Sequence, residues 1–504
     1  MNERKNQDFE RMLQTSFDEL PPEDIVQDVT PWRKAMNRAL MGLALTTLHF
    51  NFFGLNYVLP FIGYILSLVG FRALRRENVW FKSCWVIISI RTCYWYFWFL
   101  TSTTIYSKEL ENNAIFSAVA VANMILLFIL FFCLWRGFKA VKRKAGLPEK
   151  AGSAVALLIW SLWLGVMSYS GWLAWVVIVL YICIIISLFK LSKELDEAGY
   201  VIQSAPVKIS DRVLVTGILV VLAAGAACGY LFFNRYPMEW SEQEISQNAE
   251  LEEIKNDLIA LGFPEDILAD LLEEDIRACK DAQYVVVEVR DHALNNGREA
   301  IMEEGLHVSV DTIYDAKELR ITGIGVLLPG EEEQWKLFHH FQYVADTEFY
   351  GTESIQIWPA YRYNMEDWGA EGEMSGQVLY DYESQTYTAP YYSLESETYT
   401  SIGNILGNGM STDVFATFSM PKDGENQRGY ISYGTKRMQD GTSYIVSWVN
   451  YTHQQSWMQF PVITAKEQRL AASSGRGNKG PFHTAQDALQ IRSSKEGVKL
   501  FRED

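Results

Sequence analysis

The chain has 504 residues, of which 49% are hydrophobic and 14% aromatic, and its formal net charge is −17. Residues 234–504 contain 22 bases and 45 acids, a net charge of −23, whereas the residues before them carry +6. An acidic segment of this size repels nucleic acid, so we expect no nucleic-acid partner.

Seven apolar runs in the first half of the chain predict an α-helical membrane bundle and hence a lipid-bilayer partner. The runs cover 41–53, 57–71, 80–106, 114–135, 154–169, 172–189 and 213–233. A crossing usually needs about 20 residues, and the first two runs are short and close together. They form either two crossings or one crossing and one shallow helix, which gives a total of six or seven crossings.

The positions of the bases predict the orientation of the bundle. Basic clusters surround Arg33, Arg75, Arg143 and Lys193, and they alternate with connections that hold few bases. Because cytoplasmic loops collect Lys and Arg, we expect a cytoplasmic amino terminus and an extracellular carboxyl-terminal domain. The sequence then divides into a cytoplasmic segment at 1–38, a bundle at 39–233, a helical stalk at 234–281 and an extracytoplasmic β-rich domain at 282–504.

Two features inside the predicted bundle carry specific expectations. Arg91 lies in the middle of the third run, where a charge is costly and indicates either a functional group or a side chain that extends to the interface. Gly225 and Gly229 form a small-residue pair at which another helix can approach closely.

Two stretches resemble a group of uncharacterised multipass membrane proteins of Gram-positive anaerobic bacteria. The first is NYVLPFIGYILSLVGFRALRRENVWFK at 56–82, and the second is KELDEAGYVI at 193–202. The resemblance implies a multipass membrane protein. It implies no activity and no site, because that group has no established function.

The acidic segment begins with a helical pattern and continues with the two-residue alternation of β-strands. Helices are predicted from Ser241 to Gly262 and at 265–282, with a short one at 484–491. Strands are predicted at 284–289, 307–311, 319–328, 335–344, 354–358, 377–382, 414–420, 429–433 and 444–450. Asp440-Gly441 predicts a hairpin between the last two strands. These features favour an α+β domain built mainly as an antiparallel β sandwich, with a flexible loop at 471–480.

Aromatic side chains crowd two stretches of this domain and predict a binding platform for a glycan or peptide. The candidate ligand-binding residues are Trp358, Tyr361, Tyr363, Trp368, Tyr391 and Tyr392. His339 and His340 are neighbours in a predicted strand, so their rings point to opposite faces and cannot hold one metal ion together. His339 is expected in the core, whereas His340 or His453 could join an acid at a metal site. The motif search gives no catalytic residue, metal site or cofactor to predict.

Three classes of function remain open at this stage. The first is a non-enzymatic sensor or ligand-binding protein whose output passes through a cytoplasmic or membrane partner. The second is a component of a transporter or permease, and the third is an anchored ectoenzyme that acts on cell-envelope material. We rank them in that order, because convergent acids or histidines are not visible in the sequence.

Overall fold

The computed structural model describes most of the chain and divides it into two compact units. The described residues are 32–47, 55–166, 173–203, 207–244, 248–295, 297–304, 307–314, 316–358, 368–401, 409–437, 444–473, 481–494 and 497–500. The first unit comprises Met1–Thr101 and Tyr106–Ala227, and the second comprises Ser102–Ile105 and Cys228–Asp504.

The first unit is built from helices. They are α1 (Trp32–Thr47), α2 (Leu55–Leu74), α3 (Val79–Thr101), α4 (Ser107–Asn112), α5 (Ala114–Lys144), α6 (Gly152–Val166), α7 (Leu173–Glu197) and α8 (Asp211–Phe232), the last of which continues into the second unit. Among the described residues, four stretches are long and apolar enough to cross a membrane: Leu55–Leu74, Ala114–Lys144, Val176–Glu197 and Asp211–Phe232. Of the remaining predicted runs, the third coincides with α3, which contains Lys82 and Arg91, and the fifth with α6, which has 15 residues.

Helix α1 begins earlier than the first apolar run predicts. It starts at Trp32, inside the segment expected to be an amino-terminal tail, and its 16 residues rise only about 24 Å. Small residues bring its backbone against α2. A Cβ atom added to Gly70 would lie 2.5 Å from the main-chain nitrogen of Ala39, and one added to Gly42 would lie 2.3 Å from Ser67 Oγ. Such close approach is typical of small-residue helix pairs in membranes.

Three connections that contain predicted cytoplasmic bases meet within the first unit. Glu77, between α2 and α3, is buried and accepts a hydrogen bond of 2.5 Å from the hydroxyl of Tyr200, which follows α7. Lys144, at the end of α5, lies 3.7 Å from the Glu77 carboxylate. Arg72 donates to Asp211 at 3.0 Å and so joins the end of α2 to the start of α8. Residues of the stretches 56–82 and 193–202 therefore contact each other here.

Two antiparallel sheets and a small hairpin form the second unit. The strands are β1 (Ser241–Glu242), β2 (Tyr284–His292), β3 (Arg298–Glu304), β4 (His307–Ile313), β5 (Leu319–Leu328), β6 (Gln334–Tyr343), β7 (Glu353–Trp358), β8 (Trp368–Tyr382), β9 (Gln385–Pro390), β10 (Ser393–Ser401), β11 (Gly409–Phe418), β12 (Glu425–Arg437), β13 (Tyr444–Gln454), β14 (Phe482–Ser494) and β15 (Gly497–Leu500). One sheet has the order β1-β9-β8-β12-β6-β5-β2, the other β10-β11-β7-β13-β14-β15, and β3 pairs with β4. Side chains of both large sheets share one apolar core, including Trp335 and Ile431 from the first and Ile355 and Leu489 from the second. The predicted antiparallel β domain is therefore confirmed.

Two local predictions in this unit are wrong. The predicted helix at 484–491 is part of strand β14, which pairs with β13 along its length. The strands on either side of Asp440-Gly441 do not form a hairpin, because β12 pairs with β6 and β8 whereas β13 pairs with β7 and β14. The dipeptide itself and residues 474–480 of the predicted flexible loop lie outside the described residues.

Three helices cover one face of the seven-stranded sheet. They are α9 (Ala249–Ala260), α10 (Glu265–Ala269) and α11 (Glu273–Ala278), so the second predicted helix is two short ones. Leu258 and Leu268 of these helices pack in one apolar cluster with Ile324, Val326 and Phe338 of the sheet. These helices belong to the segment that the sequence predicts as a helical stalk, and they form a layer on the seven-stranded sheet. Helix α12 (Ala465–Ser473) lies on the six-stranded sheet.

Candidate functional site

The structure separates the predicted aromatic platform into different environments. Trp358 is half-buried at the end of β7, on the face of the six-stranded sheet that points away from the shared core. Trp368 and Tyr391 belong to that core, with 2% and 8% of their surfaces exposed. Tyr392 is exposed and stacks on Tyr236, with the ring centroids 4.5 Å apart. Tyr361 and Tyr363 lie outside the described residues. Of the described candidates, only Trp358 contacts a cluster of polar side chains around Asp413.

That cluster is centred on the carboxylate of Asp413 in β11. We call it the Asp413 cluster. It consists of Gln356, Trp358, Tyr399, Asp413, Asn450 and Arg469. Trp358 Nε1 donates to Asp413 Oδ2 at 2.8 Å, and the Tyr399 hydroxyl and the Gln356 amide donate to the same oxygen. Three donors therefore hold this carboxylate in one orientation.

The sheet order explains why these side chains meet. Strands β10, β11, β7 and β13 are neighbours, and the members they supply lie at alternate positions to core residues such as Ile355, Ile357 and Val449. Successive side chains of a strand point to opposite faces, so the polar set faces away from the core. Arg469 comes from α12 and donates to Gln356 Oε1 at 2.6 Å.

The cluster has a polar floor and an aromatic rim. Gln356, Asp413 and Asn450 are buried, with at most 1% of each exposed, whereas Trp358 and Trp448 are half-buried and their ring centroids lie 5.9 Å apart. Asn450 donates to Gln356 at 3.0 Å, but its own Oδ1 accepts no hydrogen bond within the described part of the chain. A buried acceptor without a donor is unusual and marks a position where a ligand can donate.

Ion pairs hold helix α12 beside the Asp413 cluster. Lys466 lies 2.7 Å from Glu395 and 3.0 Å from Glu397, both on β10. Burial alone would lower the pKa of the Lys466 ammonium, but the two carboxylates outweigh it and the pKa is raised. The cation therefore stays charged, and it fixes the helix that supplies Arg469.

The histidines divide between the two faces of β6, as their spacing predicts. His339 is buried in the shared core and lies 2.7 Å from Ser447 Oγ, and burial lowers its pKa to about 4. His340 faces the helical layer and lies 2.9 Å from Asp270. His453 lies 2.9 Å from Glu353 in another buried pair. No group of three potential metal ligands occurs among the residues that the structure describes.

Arg91 occupies the interior of the first unit. It is 7% exposed, donates to the main-chain oxygen of Asn123 in α5, and lies 3.4 Å from the hydroxyl of Tyr64 in α2. The side chain is thus held by neighbouring helices. Gly225 contacts Leu100 of α3, so this end of the small-residue pair packs within the unit.

Sequence reasoning missed most of the Asp413 cluster. Asp413, Gln356 and Asn450 are single polar residues in strands and match no motif, and Gln356 and Arg469 are 113 positions apart. The available signal was the alternation in β7, where Ser354, Gln356 and Trp358 share one face. Comparison with protein-family models and with curated protein sequences gives no match for this chain.

Proposed function

We propose that the protein is a cell-membrane sensor or ligand-binding protein whose acidic domain binds an envelope glycan or peptide at the Asp413 cluster. It binds without chemical conversion, and a cytoplasmic or membrane partner protein carries the output. The observation behind the proposal is the Asp413 carboxylate, which hydrogen bonds from the Trp358 and Tyr399 side chains hold in one orientation. It lies on a domain that follows four membrane-span candidates in the sequence.

The chemistry of the cluster suits a glycan in particular. Indole and phenol rings offer flat apolar faces to the C–H groups of a sugar. The Asp413 carboxylate and the Gln356 and Asn450 amides can bind hydroxyl groups, and few polar groups placed in this way give specificity. The same carboxylate and rings can also receive a cationic peptide side chain.

We further propose six or seven crossings, with the amino terminus in the cytoplasm and the acidic domain outside. The contacts of Glu77 with Tyr200 and Lys144 support this topology, because they join three connections that it assigns to the cytoplasmic side. Within the second unit, Val462 N donates to Ser102 O at 2.8 Å. This contact also supports the topology, which assigns the connection after α3 and the acidic domain to the outer side.

Binding by the full-length protein in lipid nanodiscs tests the ligand proposal. Muropeptides, chito-oligosaccharides and a cationic peptide are the probes, and affinity is measured by calorimetry. Asp413→Asn should weaken binding about tenfold, because hydrogen bonds to a charged group contribute about 1.5–3 kcal/mol. Asp346→Asn changes an exposed acid in the β6–β7 connection and should leave the affinity unchanged.

A second pair of variants separates a binding defect from a folding defect. Tyr399→Phe removes the hydroxyl that donates to Asp413 and keeps the ring, whereas Tyr284→Phe removes an exposed hydroxyl on β2. Weaker binding by the first variant alone supports the proposal. Equal affinities of wild type and both cluster variants would reject the site, and recovery of cleaved ligand would favour the ectoenzyme class instead.

A further inference from the structure

A pocket of about 370 Å³ lies at the carboxyl end of α8, entirely within the second unit. Its apolar wall includes Leu231, Phe232 and Trp457, and its polar wall includes Asn234, Arg235 and Lys422. The volume is in the range of small-ligand sites, and the walls together fit an amphipathic ligand.

The polar wall is cationic although residues 234–504 carry a net charge of −23. Lys422 is exposed and forms no ion pair within the described part of the chain. Arg235 donates to the main-chain oxygens of Met420 and Phe349, which orients the guanidinium and leaves further N–H groups for a ligand. Burial lowers the Arg235 pKa despite the opposing effect of Glu353 and Asp423, and an anion in the pocket would offset this desolvation.

Asn234 supplies a second polar feature of the pocket. Its side chain is 5% exposed, and its Oδ1 atom accepts no hydrogen bond from any described residue. A ligand that combines a phosphate with a hydroxyl donor would satisfy the cations and this acceptor together.

Next to the pocket, the loop at 457–460 exposes large apolar side chains and is held in place by hydrogen bonds. Trp457, Met458 and Phe460 are 54%, 71% and 42% exposed. Gln459 holds the loop in place, because its side-chain amide donates to Ile463 O at 3.0 Å and its main-chain oxygen accepts from Tyr230 of α8. The last turn of α8 adds Leu231 and Phe232, which are 75% and 73% exposed.

We propose that this pocket binds the headgroup of phosphatidylglycerol and that the 457–460 loop enters the membrane interface beside it. The apolar surface is continuous with the last turn of α8, where a membrane-span candidate ends, so this surface is expected to lie at the membrane interface. Tryptophan prefers the interface, and bases near it attract anionic lipid. Arg235 and Lys422 bind the lipid phosphate, and a glycerol hydroxyl donates to Asn234 Oδ1.

Native mass spectrometry of the detergent-purified full-length protein tests headgroup binding. The probes are dihexanoyl-phosphatidylglycerol, dihexanoyl-phosphatidylcholine, which has no headgroup donor, and glycerol 1-phosphate, which has no acyl chain. We expect the first to bind most tightly, and Lys422→Gln to weaken it about fivefold. Lys499→Gln removes the same charge from an exposed position on β15 and should have no effect.

Quenching of tryptophan fluorescence by brominated lipids tests whether the loop enters the membrane. The difference in fluorescence between the wild type and Trp457→Phe gives the signal of Trp457 alone. Quenching by bromines high on the acyl chain is the expected result. Equal binding of the two lipids, with no effect of Lys422→Gln, would overturn the headgroup proposal. Equal binding of glycerol 1-phosphate would assign the pocket to a soluble phosphate. If Trp457 is not quenched and the protein forms a dimer that Trp457→Ser dissociates, the apolar surface binds a second copy of the chain instead of the membrane.

Discussion

Asp275 of α11 anchors the helical layer to the seven-stranded sheet, and its replacement has a predictable cost. The carboxylate is 2% exposed and lies 2.8 Å from Lys336 Nζ. It also accepts hydrogen bonds from Ser375 at 2.6 Å, Ser432 at 3.0 Å and Tyr430 at 2.7 Å. Asp275→Asn removes the charge that balances a nearly buried ammonium, since Lys336 is only 8% exposed.

Breaking a buried ion pair at one partner costs about 3–5 kcal/mol. That is a large part of the 5–15 kcal/mol typical of a folded domain. The double variant Asp275→Asn/Lys336→Met should recover most of the loss, because it leaves no uncompensated charge. In the wild type, burial alone would raise the Asp275 pKa, but Lys336 and the hydrogen bonds from Ser375 and Tyr430 together outweigh burial, and the pKa is lowered below 3.8. The stability from this pair is therefore present above pH 3.8 and is lost as the pH falls through the folded pKa.

The chain contains its own reporter for this measurement. Cys279 is the only cysteine in residues 234–504; it is 1% exposed, and burial raises its pKa to about 12. It should react with N-ethylmaleimide only when the helical layer opens, and mass spectrometry of its peptide distinguishes it from the cysteines of the bundle.

In a urea titration of the full-length protein, Asp275→Asn should lower the midpoint of Cys279 labelling by about 1–2 M, given a slope of about 2–3 kcal/mol per M. An unchanged midpoint would refute the stabilising role of the pair. A double variant as unstable as the single one would show that the hydroxyl partners, and not Lys336, account for the loss.

Three other predictions test the bundle, the core and the topology. Gly70→Leu should destabilise the first unit by about 1–3 kcal/mol through overpacking against α1, measured by thermal unfolding in detergent, whereas Gly217→Leu should not, because nothing lies within 4 Å of its Cβ position. The low pKa of His339, about 4 against 6.5 in the unfolded chain, predicts that stability falls by up to about 3 kcal/mol as the pH drops from 6.5 to 4. His339→Gln should flatten that profile in the Cys279 assay. Protease added to intact cells should release the acidic domain, and protection of that domain until the membrane is breached would reverse the proposed orientation.

The sequence predicts the β domain well where burial dominates. Strand β5 is predicted at 319–328 and is found at Leu319–Leu328. Six of its ten residues are large and apolar, because one face meets the shared core at Ile321 and the other meets the helical layer at Ile324. Such a run has few alternatives once Gly and Pro mark its end.

Prediction fails where the pairing of strands in a sheet overrides the local preference of the residues for another secondary structure. Residues 484–491 contain Ala, Gln and Leu, which favour a helix, yet they pair with β13 along the sheet. The dipeptide Asp440-Gly441 carries a strong hairpin signal, but β12 and β13 pair with strands of different sheets. Propensity and turn residues report only on neighbours in the sequence. Sheet membership depends on distant partners, such as the positions of β13 and β7 that pair although they lie 90 to 98 residues apart.

The candidate site was predictable only in part for the same reason. Trp358 was identified by its residue type, but so were Trp368 and Tyr391, which are core residues. Residue type does not distinguish a rim aromatic from a core aromatic, because both bury a ring. Asp413 had no local signal, since the other members of the Asp413 cluster come from β7, β10 and β13 through sheet order and from α12 through a long connection.

One connection of the β domain contains parts of both proposed sites. Between β13 and β14, the chain first forms the 457–460 loop and then α12, which supplies Arg469 to the Asp413 cluster. Val462 lies between them and donates to Ser102, directly after α3. A ligand that displaces α12 would therefore also shift the segment that contains the 457–460 loop. The proposed sensor function requires a physical element that the ligand can shift, and under that proposal the change on binding is expected to be largest in this connection.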